Sequence, residues 1–268
     1  MPELPDLAVI SKNLNKRFAN KKVAAFNVFK DKKLNAPINE FKNDIENQFL
    51  ESVSRNGKEL LLTFSNKKQL GIHLMLKGEI HLLSEPNIKH KVFELVFDTL
   101  QQGSLFGESD GFSITDTMAQ AKPILNPPTS STPDALDDTF NYDYLKSILA
   151  KSKKVNVKKV LKNQDIVRGI GNAYIDEILW EAKVSPLSDA SKIPDEFIAK
   201  IVESTKEILN NAISEISSRN PNIISGEIRS FLKVHTTTKT ESPTGFPIKT
   251  TEIDTKTTYY TDEQLLFE

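Results

Sequence analysis

The chain has 268 residues, 38% of them hydrophobic, and 35 Lys and Arg stand against 36 Asp and Glu for a formal net charge of −1. That length supplies cores for two medium domains, zero cysteines exclude disulfides and thiolate metal sites, and His73, His81, His90 and His235 are too scattered to imply a metal. No apolar run reaches bilayer length and no basic-then-apolar leader opens the chain, so a cytoplasmic protein with neither membrane partner nor cofactor is expected.

The chain opens Met1-Pro2-Glu3-Leu4-Pro5-Asp6. Removal of Met1, which the small Pro2 permits, leaves a secondary amine beside a carboxylate. An α-amino group has a pKa of roughly 7.7–8.0, so near neutrality much of it is unprotonated and nucleophilic, and it can attack a sugar C1′ to form an iminium. Proline in second place is also an ordinary start for a protein, and only other parts of the chain decide between the two. Leu7, Ile10, Leu14 and Phe18 then mark one face of an amphipathic helix. Short β-rich runs follow: Val23–Phe29, Glu59–Phe64, Gln69–Leu76, Glu79–Leu83, Val92–Asp98 and Phe112–Thr115. Gly57, Gly78, Gly103, Gly107 and Gly111 punctuate them, which predicts an antiparallel sandwich or barrel over 1–120.

Residues 121–139 hold four prolines and little apolar periodicity, and read as a linker. From 140 to 233 the pattern is helical, with Ile201, Thr205, Ile208, Ala212 and Ile216 at helical spacing in the last segment. The threonine-rich stretch 234–268, ending its strand-like run in Tyr259-Tyr260, reads as a hairpin appendage. The fold class expected is therefore α+β.

Lys151, Lys153, Lys154, Lys158, Lys159 and Lys162 crowd one helical stretch, either a solvated face or, if nucleic acid is held nearby, a phosphate track. Just beyond lies Arg168-Gly169-Ile170-Gly171-Asn172-Ala173-Tyr174. Here Asn172 can cap the helix that follows, and glycines before a helix N-terminus expose amides suited to a phosphate. Read alone, the stretch is also compatible with a plain turn between helices. Together with Val184-Ser185-Pro186-Leu187 it resembles the helix-two-turn-helix of the formamidopyrimidine-DNA glycosylase and endonuclease VIII family. Three further landmarks match in order: the Met-Pro-Glu-Leu-Pro start, Arg55-Asn56-Gly57-Lys58, and His73-Leu74-Met75-Leu76-Lys77-Gly78.

The resemblance implies a bifunctional DNA glycosylase and abasic-site lyase of base excision repair. It would act as a monomer on damaged DNA, double-stranded or in single-stranded and bubble form, and would be nucleoid-associated if bacterial. Pro2 is the implied nucleophile, Glu3 the general acid and base, and Lys58 a phosphate ligand or proton-transfer aid. His73, Gly171, Asn172 and Lys256 are the implied DNA-binding residues. The family's four-cysteine zinc ribbon aligns with Glu241, Thr244, Thr261 and Gln264, none a soft donor, so a zincless finger is expected.

Departures bear on substrate choice. Leu76 occupies the position of the family's void-filling methionine, with Met75 one residue early and expected on the opposite strand face. The loop that carries an arginine and an aromatic wedge reads Asp116-Thr117-Met118-Ala119-Gln120-Ala121, and the segment between Ile216 and Val234 is short. Weak opposite-base discrimination follows, with oxidised pyrimidines, ring-opened purines or hydantoins favoured over 8-oxoguanine. A non-catalytic binder of damaged or branched DNA is the alternative reading.

Overall fold

The computed structural model describes residues 1–98 and 110–268; Gly103 and Gly107 lie outside the described residues. It divides into two compact units. The first holds residues 1–2, 6–129 and 217–227; the second holds 3–5, 130–216 and 228–268.

The first unit is built on two four-stranded antiparallel sheets. One has the order β1 (Val23–Val28), β6 (Lys91–Phe97), β7 (Asp110–Asp116), β5 (Gly78–Leu82); the other runs β2 (Leu50–Asn56), β3 (Glu59–Phe64), β4 (Gln69–His73), β8 (Lys122–Leu125). Alternation dictates the sidedness: Leu60, Leu62 and Phe64 of β3 are buried while Glu59, Leu61 and Thr63 between them are less so. Helix α1 (Leu4–Phe18) lays Leu7, Ile10, Leu14 and Phe18 into the same core, where the Phe18 ring stacks on Phe97 at 4.9 Å. A short helix α2 (Ile38–Ile45) adds Phe41, stacked on Phe26 at 5.5 Å.

Three features differ from the sequence reading. Strand β2 and helix α2 lie in a stretch with no assigned element. The proposed linker 121–139 begins with β8, which is tolerated despite Pro123 because β8 is an edge strand. Residues 217–227 fold with the first unit rather than with the helices before them, tied by Asn13 Nδ2 donating to Ile223 O (2.7 Å) and Ile80 N to Ser225 Oγ (2.9 Å).

The second unit is mainly helical: α3 (Tyr142–Leu149), α4 (Val157–Lys162), α5 (Asn172–Glu181) and α6 (Asp195–Arg219), of which residues 217–219 belong to the first unit. Helices α3 and α4 have true N-caps, Asn141 and Asn156, whose side chains accept from Tyr144 N and Lys159 N. Helix α5 is buried nearly all round, charged Asp176 and Glu177 included, and Tyr174, Ile175, Ile178 and Leu179 are fully buried in this unit's core. A two-stranded antiparallel hairpin, β9 (Lys249–Ile253) and β10 (Lys256–Tyr260), completes the unit. Asp254 and Thr255, at φ 49° and 59°, form its two-residue tip, the left-handed pair a tight right-twisted hairpin requires. The expected α+β class, with an N-terminal helix, antiparallel sheets and C-terminal helices, is what the chain adopts. Among the described residues, no helix is long and apolar enough to cross a membrane.

Candidate active site

The sequence-predicted site residues fall in both units: Pro2, Lys58 and His73 in the first, Glu3, Gly171, Asn172 and Lys256 in the second.

Within the second unit the chain start is built into the turn before α5. Leu4 N donates to Gly169 O (3.1 Å), and Glu3, 5% exposed, accepts from Gly171 N at Oε2 (2.8 Å) and from Ala173 N at Oε1 (3.2 Å). A carboxylate on the first amides of a helix is favoured by both the unsatisfied N–H groups and the helix dipole. The glycines are required by the fit: Gly169 has φ +99° and a Cβ there would lie 2.6 Å from Leu4 Cδ1. Gln164 braces the loop, donating to Ile170 O (2.9 Å) and accepting from Gly169 N (3.0 Å).

This corrects the expected role of Asn172. Gly171, not Asn172, is the N-cap position; no side chain of its own caps the helix, and the cap comes from Glu3 far away in the chain. The Asn172 side chain is drawn elsewhere, donating from Nδ2 to Thr257 O in β10 (2.9 Å). The Gly171 amide assigned to a phosphate is likewise committed to Glu3.

The lysine cluster is not one solvated face. Lys158 is 1% exposed and fully engaged, with Nζ 2.6 Å from Asp176 Oδ1 and 2.8 Å from Thr258 Oγ1. Burial pushes its ammonium pKa down, against the opposing charge and hydrogen bond of Asp176, and the Glu3 charge also acts on it. Asp176 accepts in addition from Tyr259 N (3.0 Å) and pairs with His235 Nδ1 (2.7 Å). Its neighbour Glu177 accepts from Lys233 N, Val234 N and His235 N at 2.7–2.8 Å. Two adjacent acids of α5 thus fix both the approach to the hairpin and β10. Lys159 and Lys162 pair with Asp254 at the hairpin tip, at 3.3 and 3.4 Å. Lys256, exposed, opens β10 beside that tip.

The four positions aligned with zinc ligands do not fit a metal. Thr261 and Gln264 bond each other, Thr261 N to Gln264 Oε1 (2.9 Å), and Gln264 Nε2 donates to Val184 O (2.8 Å). The centre is instead the Glu263 carboxylate, which accepts from Trp180 Nε1 (3.0 Å), Lys183 Nζ (3.0 Å), Ser242 Oγ (3.1 Å) and Thr261 Oγ1 (3.1 Å). Burial alone would push this carboxyl up, but the hydrogen bonds from Thr244, Lys183 and Trp180 and the Lys183 charge prevail and hold it at about 2. A carboxyl depressed from 4.5 in this way contributes stability in full above about pH 4.5, lost as pH falls towards 2. Trp180, the single tryptophan, reports on it. Its fluorescence is expected to ignore chelator and to change only in that acid window, and Glu263→Gln is expected to shift the signal at neutral pH. A chelator-sensitive spectrum would refute the carboxylate-centred finger.

In the first unit, Lys58 follows Gly57 (φ 59°) in the β2–β3 turn and His73 ends β4. His73 Nδ1 accepts from Met75 N (3.0 Å), which places the ring proton on Nε2. Burial, then the charges of Lys122 and Lys58, push the His73 pKa down to about 4, so the ring is neutral at pH 7. Lys122 was not among the residues singled out from sequence. Pro2 is buried behind an exposed Met1, whose ammonium pairs with Glu227 at 3.1 Å.

The strand-face argument for Met75 and Leu76 does not hold, because β4 stops at His73. Residues 75–77 form a turn closed by Gly78 N donating to Leu74 O (2.9 Å), where Met75 has φ 55° and Leu76 is 51% exposed. A Cβ on Gly78 would sit 2.1 Å from Leu74 O, so glycine is obligatory there. In the loop after β7, the buried Asp116 carboxylate accepts from Met118 N, Gln120 N and Ala121 N at 2.7–2.8 Å, leaving Met118 51% exposed.

Comparison with known proteins accords with this geometry. Residues 1–116 match the formamidopyrimidine-DNA glycosylase N-terminal domain and residues 132–221 the helix-two-turn-helix domain of the same enzymes. The formamidopyrimidine-DNA glycosylase of Streptococcus mutans is 32% identical over 220 residues, 80% of this chain and 79% of that protein; the Lactobacillus gasseri enzyme is 28% identical over 222 residues, 80% and 78%. The fold is that of the Lactococcus lactis enzyme solved in complex with DNA containing an abasic site, with a TM-score of 0.83 at 22% identity over 98% of this chain and 99% of that one. With two domain models in sequence order and a relative at 32% identity across four-fifths of its length, this chain belongs to the formamidopyrimidine-DNA glycosylase family.

Proposed function

We propose that the protein is a DNA glycosylase of base excision repair that also cleaves abasic sites, working as a monomer on damaged DNA in the cytoplasm, at the nucleoid if the source is bacterial. The reading is carried by one observation: the Glu3 carboxylate, next in sequence to Pro2, is seated on the first amides of α5.

The Pro2 nitrogen, freed by removal of Met1, attacks C1′ of an extruded nucleotide, the glycosidic bond breaks, and the base leaves with a proton supplied through Glu3. The C1′–O4′ bond then breaks as the sugar ring opens, O4′ taking a proton through Glu3, and leaves an iminium between Pro2 and C1′; the iminium acidifies the C2′ proton, and its removal expels the 3′ phosphate. Lys58 and His73 bind backbone phosphate; His73 does so as a neutral Nε2–H donor. Lys256 contributes charge from the hairpin tip, and Asn172, with one amide N–H beyond its bond to Thr257, adds a contact beside it. Because Leu76 and Met118 are apolar, they cannot hydrogen-bond the base opposite the lesion. Opposite-base discrimination is therefore weak and single-stranded or bubble DNA is a competent substrate, while the short segment between Ile216 and Val234 favours oxidised pyrimidines, ring-opened purines or hydantoins over 8-oxoguanine.

Borohydride trapping tests this. Met1-processed protein is expected to become covalently linked to DNA carrying an abasic site or an oxidised pyrimidine. Pro2→Gly and Met1-retained protein define the dependence on the proline amine. Tight binding with no adduct on any substrate would establish the non-catalytic binder instead.

A further inference from the structure

Helix α4 buries Val157, Lys158, Val160 and Leu161 and leaves Lys159 and Lys162, one turn apart, as its outward face. Both ammonium groups meet one carboxylate, Asp254 at the hairpin tip, each on its own oxygen. Lys159 Nζ lies 3.3 Å from Oδ1 and Lys162 Nζ 3.4 Å from Oδ2. Charge-assisted hydrogen bonds run about 2.7–2.9 Å, as Lys146–Asp195 and Lys249–Asp262 do at 2.7 Å. The Asp254 carboxylate is straddled rather than gripped.

This contact is not what docks the hairpin. Strand β10 is fastened by the bonds of Asn172 to Thr257 O, Lys158 to Thr258 Oγ1 and Asp176 to Tyr259 N. Asp254 is itself exposed, and an exposed ion pair contributes little to stability because water and salt screen it. What the carboxylate supplies is one negative charge, spread over two oxygens, between two cations that repel each other one helical turn apart. A phosphodiester offers the same charge on two terminal oxygens. Lys256, two residues beyond Asp254, opens the following strand, so DNA drawn to Lys256 arrives at the same tip.

We infer that Lys159 and Lys162 form a site for one backbone phosphodiester, which displaces the Asp254 carboxylate from between them. This rests on the DNA glycosylase reading above. The exchange trades one singly charged pair of oxygens for another, the released carboxylate returns to water, and the contact carries no sequence information.

The test is affinity for a short duplex carrying one tetrahydrofuran abasic analogue, which binds without turnover, measured from about 50 to 200 mM salt. Asp254→Asn removes the competing charge and is expected to bind about two- to fivefold more tightly than the parent, the scale of an exposed ion pair. Adding Lys159→Gln and Lys162→Gln to it is expected to flatten the slope of log K against log salt by about 0.9, so that the loss is about three- to fourfold greater at 50 mM than at 200 mM. In protein carrying the two lysine substitutions alone, Asp254→Asn is expected to bring no gain. Asp138→Asn, which strips the same charge from an exposed pair with Lys206 (3.3 Å), is the reference and is expected to match the parent, and thermal melts check that every variant folds. If Asp254→Asn binds no more tightly than the parent, the carboxylate does not compete with phosphate. If its gain survives the loss of both lysines, Asp254 only repels DNA from a distance. Either result, or a slope unchanged by the lysine substitutions, overturns the inference while the DNA reading stands. If the parent itself does not bind the duplex, the DNA reading fails and the inference falls with it.

Discussion

Gly171→Ala is expected to leave the protein folded and remove most of its proposed chemistry. A Cβ at this position would lie 2.4–2.7 Å from the carboxyl carbon and both carboxylate oxygens of Glu3, closer than real Cβ contacts come. The atoms it meets are the end of a flexible side chain, so the carboxylate moves rather than the backbone. The loss of charge-assisted bonds from Gly171 N and Ala173 N costs about 1–3 kcal/mol, within what a domain survives. A displaced general acid and base costs on the order of 10²- to 10⁴-fold in rate. Single-turnover excision and strand cleavage are expected to fall by that factor, with Glu3→Gln falling comparably. Gly171→Ala with parental turnover would mean that Glu3 does not act from the α5 seat.

Asp176→Ala is expected to be the most destabilising of the substitutions considered. It strands the ammonium of Lys158, 1% exposed, and at the same time removes the acceptor for Tyr259 N and the partner of His235. Breaking one side of a buried ion pair costs about 3–5 kcal/mol, whereas replacing both sides with apolar groups is often neutral. Urea unfolding of Asp176→Ala is expected to show that loss as a lower midpoint, and Asp176→Leu combined with Lys158→Met is expected to recover much of it. Equal loss in the single and double variants would show that the hairpin contacts, rather than the uncompensated charge, dominate.

The two substitutions mark where reading the chain by eye stops. Local patterns carried much of the architecture: the apolar stripe of α1 and the alternation of β3 are encoded in neighbouring residues, and the β3 bounds agree at both ends. Strand β2, with Glu51, Ser52, Ser54, Arg55 and Asn56 among its seven residues, has too little apolar alternation to stand out, and β8 hides behind Pro123. The site was legible as motifs but not as contacts. Glu3 and Gly171 are 168 residues apart, and nothing local says that one caps the other's helix. Lys158 looks like any member of a lysine run until Asp176, 18 residues on, and Thr258, 100 residues on, enclose it. Asn172 shows the converse: a good capping residue by type, overruled by a longer-range partner in β10.

The Glu263-centred finger has a consequence for the setting in which such a protein works. Oxidants that damage DNA bases also convert zinc-bound thiolates to sulfenic acids and disulfides, releasing the metal and unfolding the module it holds. A carboxylate held by an indole, an ammonium and hydroxyls has no sulfur to lose, and the whole chain contains no cysteine. The hairpin is therefore expected to lack the thiolate-and-zinc point of failure under the chemistry that generates oxidised bases, leaving the Trp180 indole as the oxidisable member of its anchor.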